Sequence, residues 1–194
     1  EPVEPTQTES PPQPGPPARP DLPGPLRRFR LTEYWVAQLQ DGDVQIYDKA
    51  GEPLAKISAD SKKNLDLEGS GRLPDGRVIA YTGRSGYYKV LPPGVLATGT
   101  GGRTLTPWRS VAADQGTQGG KQPWKDDVTR GGPLLHAGDR LWVQELAGVK
   151  LPDGTTHDGW VTVEDTGGAI YGAHLDLFVG EKSGRLKHPT IVNV

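Results

Sequence analysis

The segment VEDTGGAIYGAHLDLFVG, from Val163 to Gly180, places two aspartates on either side of a glycine-rich turn. Its alternating apolar residues predict that Asp165 ends one β-strand and that Asp176 lies within the next. The glycines between them allow a tight return, because glycine adopts backbone conformations that are closed to other residues. The segment therefore predicts a pair of strands that brings two carboxylates together.

The second predicted strand has two different faces. Because side chains alternate along a strand, His174, Asp176 and Phe178 share one face and the aliphatic residues between them share the other. An aspartate in such a strand is costly unless it is paired or functional, since burial disfavours its charged form and raises its pKa. A raised pKa is the condition for a general acid near neutral pH. The pattern alone leaves a second interpretation open, a buried aspartate that caps loop N–H groups.

Short apolar runs separated by turn dipeptides extend outward from this segment. Turns are predicted at Asp41-Gly42, Ala50-Gly51, Asp75-Gly76, Asp153-Gly154 and Asp158-Gly159. The runs between them, such as RVIAYTG, DRLWVQEL and WVTVED, are typical of short strands, and helix signals are weak throughout. The 27 glycines and 19 prolines agree with many turns. We therefore expect an all-β protein.

The prolines divide the chain into two parts. Residues 1–25 contain ten of the nineteen prolines and almost no large apolar side chains, so we expect a disordered Pro-rich tether. Residues 26–194 are long enough for one domain with a sizeable core. Within that domain we expect a small flanking β subdomain at residues 41–103 and a loop insertion at residues 116–132, which is Gly-rich and charged without periodicity.

Composition excludes several classes of function. The net charge of −2 offers no strong field for nucleic acid or an anionic membrane, so no nucleic-acid partner is expected. The chain has no cysteine, and therefore neither disulfides nor thiolate metal sites. No apolar run approaches the ~20 residues of a membrane helix, so no transmembrane segment is expected in this chain.

The run DTGGAIYGAHLD resembles the signature of the three-Asp (3D) domain, which occurs in membrane-bound lytic transglycosylases and in related cell-wall proteins. Its two aspartates correspond to Asp165 and Asp176. The family's other aspartate corresponds to Asp114, at the end of RSVAAD, and RLTEYW (Arg30 to Trp35) resembles the family's first barrel strand. The resemblance implies a six-stranded double-psi β-barrel.

The resemblance also implies an activity, cleavage of the β-1,4 bond between N-acetylmuramic acid and N-acetylglucosamine in peptidoglycan with a 1,6-anhydro product. In this interpretation Asp176 is the single acid and base, and Asp165 and Asp114 assist it. The substrate-binding candidates that it implies are Thr32, Tyr34, Trp35, Thr166, Gly167 and Gly168, with the Trp108 ring as a further stacking surface. Neither a cofactor nor a metal is expected. The implied partner is the peptidoglycan glycan strand, and the implied protein is a monomer in the bacterial cell envelope or secreted.

Three other interpretations stay open. The His174-x-Asp176 pair also fits a wall-loosening module that binds glycan without cutting it. The triplet Asp165-Thr166-Gly167 occurs in aspartic proteases, but those enzymes need two such aspartates and the chain has one such triplet. A metal site on the His174 face lacks further ligands at a suitable spacing. Glu33 and Glu68 are additional carboxylates, which we expect to be solvated.

Overall fold

The computed structural model describes residues 17–21, 25–116, 135–182 and 191–194. The predicted tether at residues 1–25 lies mostly outside these ranges, and the predicted insertion at 116–132 lies almost entirely outside them. The division of the chain into tether, barrel domain and flanking subdomain stays a prediction.

Twelve strands and one α-helix form within the described residues. The strands are β1 (Arg28–Tyr34), β2 (Ala37–Gln38), β3 (Asp41–Tyr47), β4 (Pro53–Ile57), β5 (Ser70–Arg72), β6 (Val78–Tyr81), β7 (Tyr88–Val90), β8 (Ser110–Ala113), β9 (Arg140–Trp142), β10 (Trp160–Asp165), β11 (His174–Phe178) and β12 (Ile191–Asn193). The helix, α1, spans Ala59–Glu68, and short 3₁₀ turns occupy Thr100–Gly102 and Gln144–Leu146. Strands dominate, so the predicted all-β class is confirmed. In the described part of the chain, no helix has the length and apolarity needed to cross a bilayer.

The central layer is a six-stranded sheet with the order β12-β1-β11-β8-β10-β9, curled into a half-barrel. Within it β1 runs parallel to β11 and β8 runs parallel to β10, while the other neighbours are antiparallel. Parallel neighbours need long connections, which here join distant parts of the chain. The pairing of β1 with β11 sets Arg30 opposite His174 and Tyr34 opposite Phe178.

The two faces of β11 are buried in different cores. Leu175 and Leu177 pack with Val163 in the larger core, and each fully buried leucine contributes about 2 kcal/mol. Phe178 packs in a second core against Tyr34, with 5.3 Å between the ring centroids. The predicted alternation along this strand is therefore confirmed, and it leaves Asp176 on the face of Phe178.

A second layer consists of the four-stranded sheet β2-β5-β6-β7, the hairpin β3-β4 and helix α1. Its core contains Ile46, Ile57, Leu65, Ile79 and Tyr88, all of which are fully buried. Because Leu65 belongs to α1 and Ile79 to β6, this core fixes the helix on the sheet. The end of α1 and the end of β6 are joined by the hydrogen bond from the Tyr81 N–H to the Gly69 carbonyl.

Two of the predicted turns join neighbouring strands as expected. Ala50-Gly51 connects β3 to β4, and Asp75-Gly76 connects β5 to β6. Gly51 and Gly76 have φ of 91° and 90°, which glycine adopts at no steric cost. The predicted strand-like run from Asp139 to Leu146 is only partly extended, because it forms the short β9 and then turns.

The turn predicted at Asp41-Gly42 is wrong, since both residues lie inside β3. The β3-β4 register shifts between Asp41 and Val44, which marks an irregularity of the β-bulge kind. A Cβ on Gly42 would lie 2.5 Å from the Ser58 Cα, so glycine serves close backbone packing here and not chain reversal.

The helix α1 is not predicted by hydrophobic periodicity, because only its residues Ser61 and Leu65 are buried. Its ends carry local signals instead. The Ser58 hydroxyl accepts a hydrogen bond from the Ser61 N–H, and Gly69, with φ of 77°, donates its N–H to the Leu65 carbonyl. Capping therefore defines this helix more clearly than amphipathicity does.

Candidate active site

Strand β1 supplies a hydrogen-bond donor to each aspartate of the C-terminal segment. The parallel register aligns Thr32 with Asp176, and the Thr32 hydroxyl donates to Asp176 Oδ1 over 2.6 Å. Two residues further along, the Tyr34 hydroxyl donates to Asp165 Oδ2 over 3.0 Å. Side chains two apart lie on the same face of a strand, so one face of β1 holds both carboxyl groups.

The end of β10 is shaped to present Asp165. The register between β10 and β8 shifts between Val163 and Asp165, and such a bulge re-aims the side chain that follows it. Gly99 packs against this point. A Cβ on Gly99 would lie 2.2 Å from the Glu164 carbonyl oxygen and 3.0 Å from the Asp165 Cβ, so only glycine fits.

Both aspartates open into a cleft of about 500 Å³ between the central sheet and the second layer. The residues that line it are Tyr34, Asp66, Leu67, Glu68, Gly69, Tyr81, Ser85, Ala112, Asp165, Thr166, Gly167, Gly168 and Asp176. Its volume lies within the range of ligand pockets in proteins, about 300 to 1,000 Å³.

The pKa of Asp176 is raised to about 7, chiefly because burial disfavours the charged carboxylate. The nearby carboxylates of Glu68, Asp165 and Glu33 also raise it, whereas the hydrogen bond from Thr32 lowers it. Near neutral pH this carboxyl group therefore holds a proton in a large fraction of molecules, as a general acid requires.

Burial also raises the pKa of Asp165, to about 6, but two donors oppose the effect. They are the Thr166 N–H and the Tyr34 hydroxyl, both of which favour the charged form. The pKa of Tyr34 itself is raised well above its usual value by burial and by the two aspartates, so its hydroxyl stays a donor. Burial thus raises the pKa of both carboxyl groups, and the two donors to Asp165 favour its charged form.

A buried histidine completes the hydrogen bonds around Thr32. The His174 Nε2 atom lies 2.8 Å from the Thr32 hydroxyl, and His174 is only 2% exposed. The hydroxyl has one hydrogen, which it donates to Asp176, so we assign the hydrogen of this second bond to His174 Nε2. Within the described residues no group of three His, Cys, Asp or Glu side chains is arranged to hold a metal ion.

Asp114 lies elsewhere, outside the lining of the cleft. Its Oδ1 accepts from the Gly116 N–H over 2.9 Å, and its Oδ2 accepts from the Gly172 N–H over 2.7 Å. Gly172 belongs to the turn between Asp165 and Asp176, so Asp114 supports that turn from outside. Asp114 therefore caps loop N–H groups, the arrangement that the sequence left open for Asp176. A catalytic role for Asp114 stays a prediction.

The predicted substrate-binding residues are only partly gathered at the cleft. Thr166, Gly167 and Gly168 line it, together with Tyr34. Thr32 lies behind Asp176 as a hydrogen-bond donor. Their roles in substrate binding stay predictions.

The two predicted tryptophan platforms do not line the cleft. The Trp35 ring packs against the larger core and carries the Lys182 ammonium 4.6 Å from its centroid. The Trp108 ring is 3% exposed, which is typical of a core side chain and leaves little surface for a sugar. Of the three aromatic residues that the sequence suggested for stacking, Tyr34 lines the cleft and the two tryptophans do not.

Glu68, the last residue of α1, is a carboxylate of the cleft that the sequence reading treats as solvated. Its Oε2 accepts the Trp35 N–H over 3.0 Å, and burial raises its pKa. The residue that directly follows β1 thus helps to place a third acidic group, next to the two hydroxyl donors of that strand. The signal that could have located it is the pair of helix caps, Ser58 and Gly69, which fixes where α1 ends.

Comparison with known proteins supports the resemblance seen in the sequence. Residues 133–187 match the model of the family described as the 3D domain, a range that includes Asp165 and Asp176 but not Asp114. No curated protein sequence matches the chain.

Solved structures share the fold at low sequence identity. The structure of E. coli MltA with bound chitohexaose is 16% identical, covers 82% of this chain and 67% of its own, and has a TM-score of 0.53. A second structure, described as MltA from Escherichia coli with a unique lytic transglycosylase fold, is 17% identical, covers 87% of this chain and 70% of its own, and has a TM-score of 0.45. The region around the two aspartates is thus identified as a 3D domain, and the chain has a fold similar to that of MltA.

Proposed function

We propose that this protein is a lytic transglycosylase of the bacterial cell envelope. The proposed reaction is cleavage of the β-1,4 bond between N-acetylmuramic acid and N-acetylglucosamine in peptidoglycan, with formation of a 1,6-anhydro end. The observation that carries the proposal is the pair Asp165 and Asp176, whose carboxyl groups share one cleft and each accept a hydrogen bond from a hydroxyl of β1. The likeness to a structure that holds chitohexaose supports a glycan substrate.

Asp176 performs both proton transfers in this proposal. Its Oδ1 accepts the Thr32 hydrogen bond, so the acid proton is assigned to Oδ2. That proton passes to the glycosidic oxygen as the bond from this oxygen to the anomeric carbon breaks. The substrate's own C6 hydroxyl oxygen then attacks the anomeric carbon, and its proton passes to the Asp176 carboxylate. The acid is regenerated, and no water is consumed.

Asp165 remains a carboxylate during the reaction. Two donors, the Tyr34 hydroxyl and the Thr166 N–H, keep it charged and hold it at the end of β10. A fixed negative charge beside the cleft stabilises the positive charge that develops on the sugar in an oxocarbenium-like transition state. It also raises the pKa of Asp176, which keeps the acid protonated. Asp114 is proposed to act on the site through the Gly172 turn.

The proposal includes the finer architecture and location. The curled six-stranded sheet supports a closed double-psi barrel, with the β3 to β7 layer as a flanking subdomain that forms one wall of the cleft. A Pro-rich tether at residues 1–25 would hold such a domain away from the surface to which it is attached. A monomer that contacts glycan strands in the envelope fits these features.

Mass analysis of purified sacculi after digestion tests the proposal. We expect soluble fragments with anhydro ends from the unaltered protein and from Asp43→Asn, a control on the exposed Asp43 of β3, and almost none from Asp176→Asn. Reducing ends would show a hydrolase and overturn the proposal. Binding to sacculi without soluble products would favour the wall-loosening module instead.

A further inference from the structure

The wall of the cleft opposite the aspartates exposes apolar side chains. Three large hydrophobic residues are strongly exposed in the described part of the chain, namely Leu67 at 77%, Val90 at 45% and Tyr81 at 38%. Two of them, Leu67 and Tyr81, line the cleft that contains Asp165 and Asp176. A cleft that combines apolar side chains with a few polar groups is typical of ligand-binding sites.

The Tyr81 ring is held in place from behind. The Tyr81 N–H donates to the Gly69 carbonyl over 2.8 Å, which ties the end of β6 to the end of α1. Its ring packs against the fully buried Tyr88 ring, with 6.3 Å between centroids. The Tyr88 hydroxyl in turn donates a hydrogen bond to the Asp66 carboxylate. A ring supported in this way loses little conformational freedom when a ligand covers it.

The two walls of the cleft differ in chemistry. The second layer contributes the Tyr81 ring and the Leu67 side chain beside the carboxyl groups of Asp66 and Glu68. The central sheet and its turn contribute the carboxyl groups of Asp165 and Asp176 and the residues from Thr166 to Gly168, so apolar surface on the Tyr81 side faces polar groups on the other. A pyranose ring matches this difference, because its C–H face is apolar while its hydroxyl and acetamido groups are polar. An aromatic face and a sugar C–H face stack through the same dispersion and quadrupole interactions that aromatic side chains make elsewhere.

We propose that Tyr81 and Leu67 form a sugar-binding platform, on which an N-acetylhexosamine ring of the glycan stacks while the neighbouring glycosidic bond faces Asp176. Tyr81 supplies the stacking face, and Leu67 extends it to apolar substituents of the same sugar. This inference rests on the proposed function, since it assigns the substrate's position in the same cleft. It replaces the tryptophan platforms that the sequence suggested with residues from the second layer.

Calorimetric titration with chitohexaose tests the platform, using Asp176→Asn as the background so that the oligomer is not consumed. In that background we expect Tyr81→Ala to weaken binding by roughly fivefold to tenfold, and Leu67→Ala by roughly twofold to threefold. Tyr81→Phe and Tyr81→Trp keep an aromatic face and should retain most of the affinity. Val90→Ala is the matched control, because Val90 is also an exposed apolar residue but lies outside the cleft.

Each outcome separates the platform from the reaction. If Tyr81→Ala binds chitohexaose as tightly as Tyr81→Phe, the platform is refuted even where sacculi digestion confirms the enzyme. Equal losses from Tyr81→Ala and Val90→Ala would also refute it, since they would show a general effect on the second layer. If the platform variants lose affinity as expected but the unaltered protein releases no anhydro products, the proposed reaction is refuted and the platform is supported. Circular dichroism of each variant checks that the fold is intact.

Discussion

Replacement of Asp176 by asparagine should stabilise the protein at pH 8 and have a much smaller effect at pH 4.5. Asparagine has nearly the same shape and retains an oxygen that accepts the Thr32 hydrogen bond, but it cannot ionise. The carboxyl group of the unaltered protein, in contrast, is ionised at pH 8 in a partly buried position. The substitution therefore removes a partly buried negative charge that lowers the free energy of unfolding.

The size of the effect follows from the pKa of this group. The ordinary pKa is 3.8 and the folded-state pKa is about 7, so between these values the folded state holds a proton that the unfolded state has lost. Stability then falls as pH rises from about 4 to about 7 and is constant above that range. A difference of ~3 pH units at ~1.4 kcal/mol each gives an upper bound of about 4 kcal/mol. Access to solvent in the cleft reduces the expected gain to about 2 kcal/mol.

Urea denaturation followed by the fluorescence of the 5 tryptophans measures this difference. Both proteins contain the same other titrating groups, so the difference between their free energies of unfolding isolates the proton on residue 176. The exposed Asp43→Asn is the control and should show no pH-dependent difference. An Asp176→Asn protein that is less stable than the unaltered one at pH 8, or a difference that does not depend on pH, would refute the reasoning.

Two further predictions concern the other acidic residues. Glu68→Gln removes a negative charge that raises the pKa of Asp176. The alkaline limb of the pH–rate profile of sacculi digestion should therefore move to lower pH. The control Glu52→Gln, at an exposed position, should leave the profile unchanged. An unmoved limb would show that the Glu68 charge does not reach Asp176. Asp114→Asn weakens the hydrogen bond that caps the Gly172 turn, so the free energy of unfolding should fall by about 1 to 2 kcal/mol. The digestion rate should fall by roughly tenfold, which is a smaller loss than that expected from Asp176→Asn. Complete loss of cleavage in a stably folded Asp114→Asn protein would instead support a direct catalytic role.

The places of the two aspartates on their strands could be predicted from the sequence because they depend on features within eighteen residues, although β8 separates the two strands in the sheet. A strand that ends at Asp165, a glycine-rich return and a strand that contains Asp176 are all local features, and local features leave local patterns. The same holds for the hairpin turns at Gly51 and Gly76. The turn predicted at Gly42 was wrong because a glycine signal does not distinguish chain reversal from close backbone packing.

The rest of the cleft could not be predicted because it depends on distant contacts. The wall that contains Glu68 and Tyr81 requires α1, and this helix buries too few side chains to produce a helical periodicity. The partner of Asp114 is the N–H of Gly172, 58 residues away, which no motif in the chain indicates. The contact between the Trp35 ring and the Lys182 ammonium likewise joins residues far apart in the sequence.

The hydrogen bond from Thr32 to Asp176 joins residues 144 positions apart. On the ribosome, the nascent chain therefore exposes β1 long before β11 has been synthesised, and β1 has no parallel neighbour during that time. Contacts of such high sequence separation form slowly, because a long loop must close before they contribute to stability. Asp176 and its hydrogen-bond donor thus meet only after β11 has been translated, so a nascent chain that stops before β11 lacks one half of the candidate site.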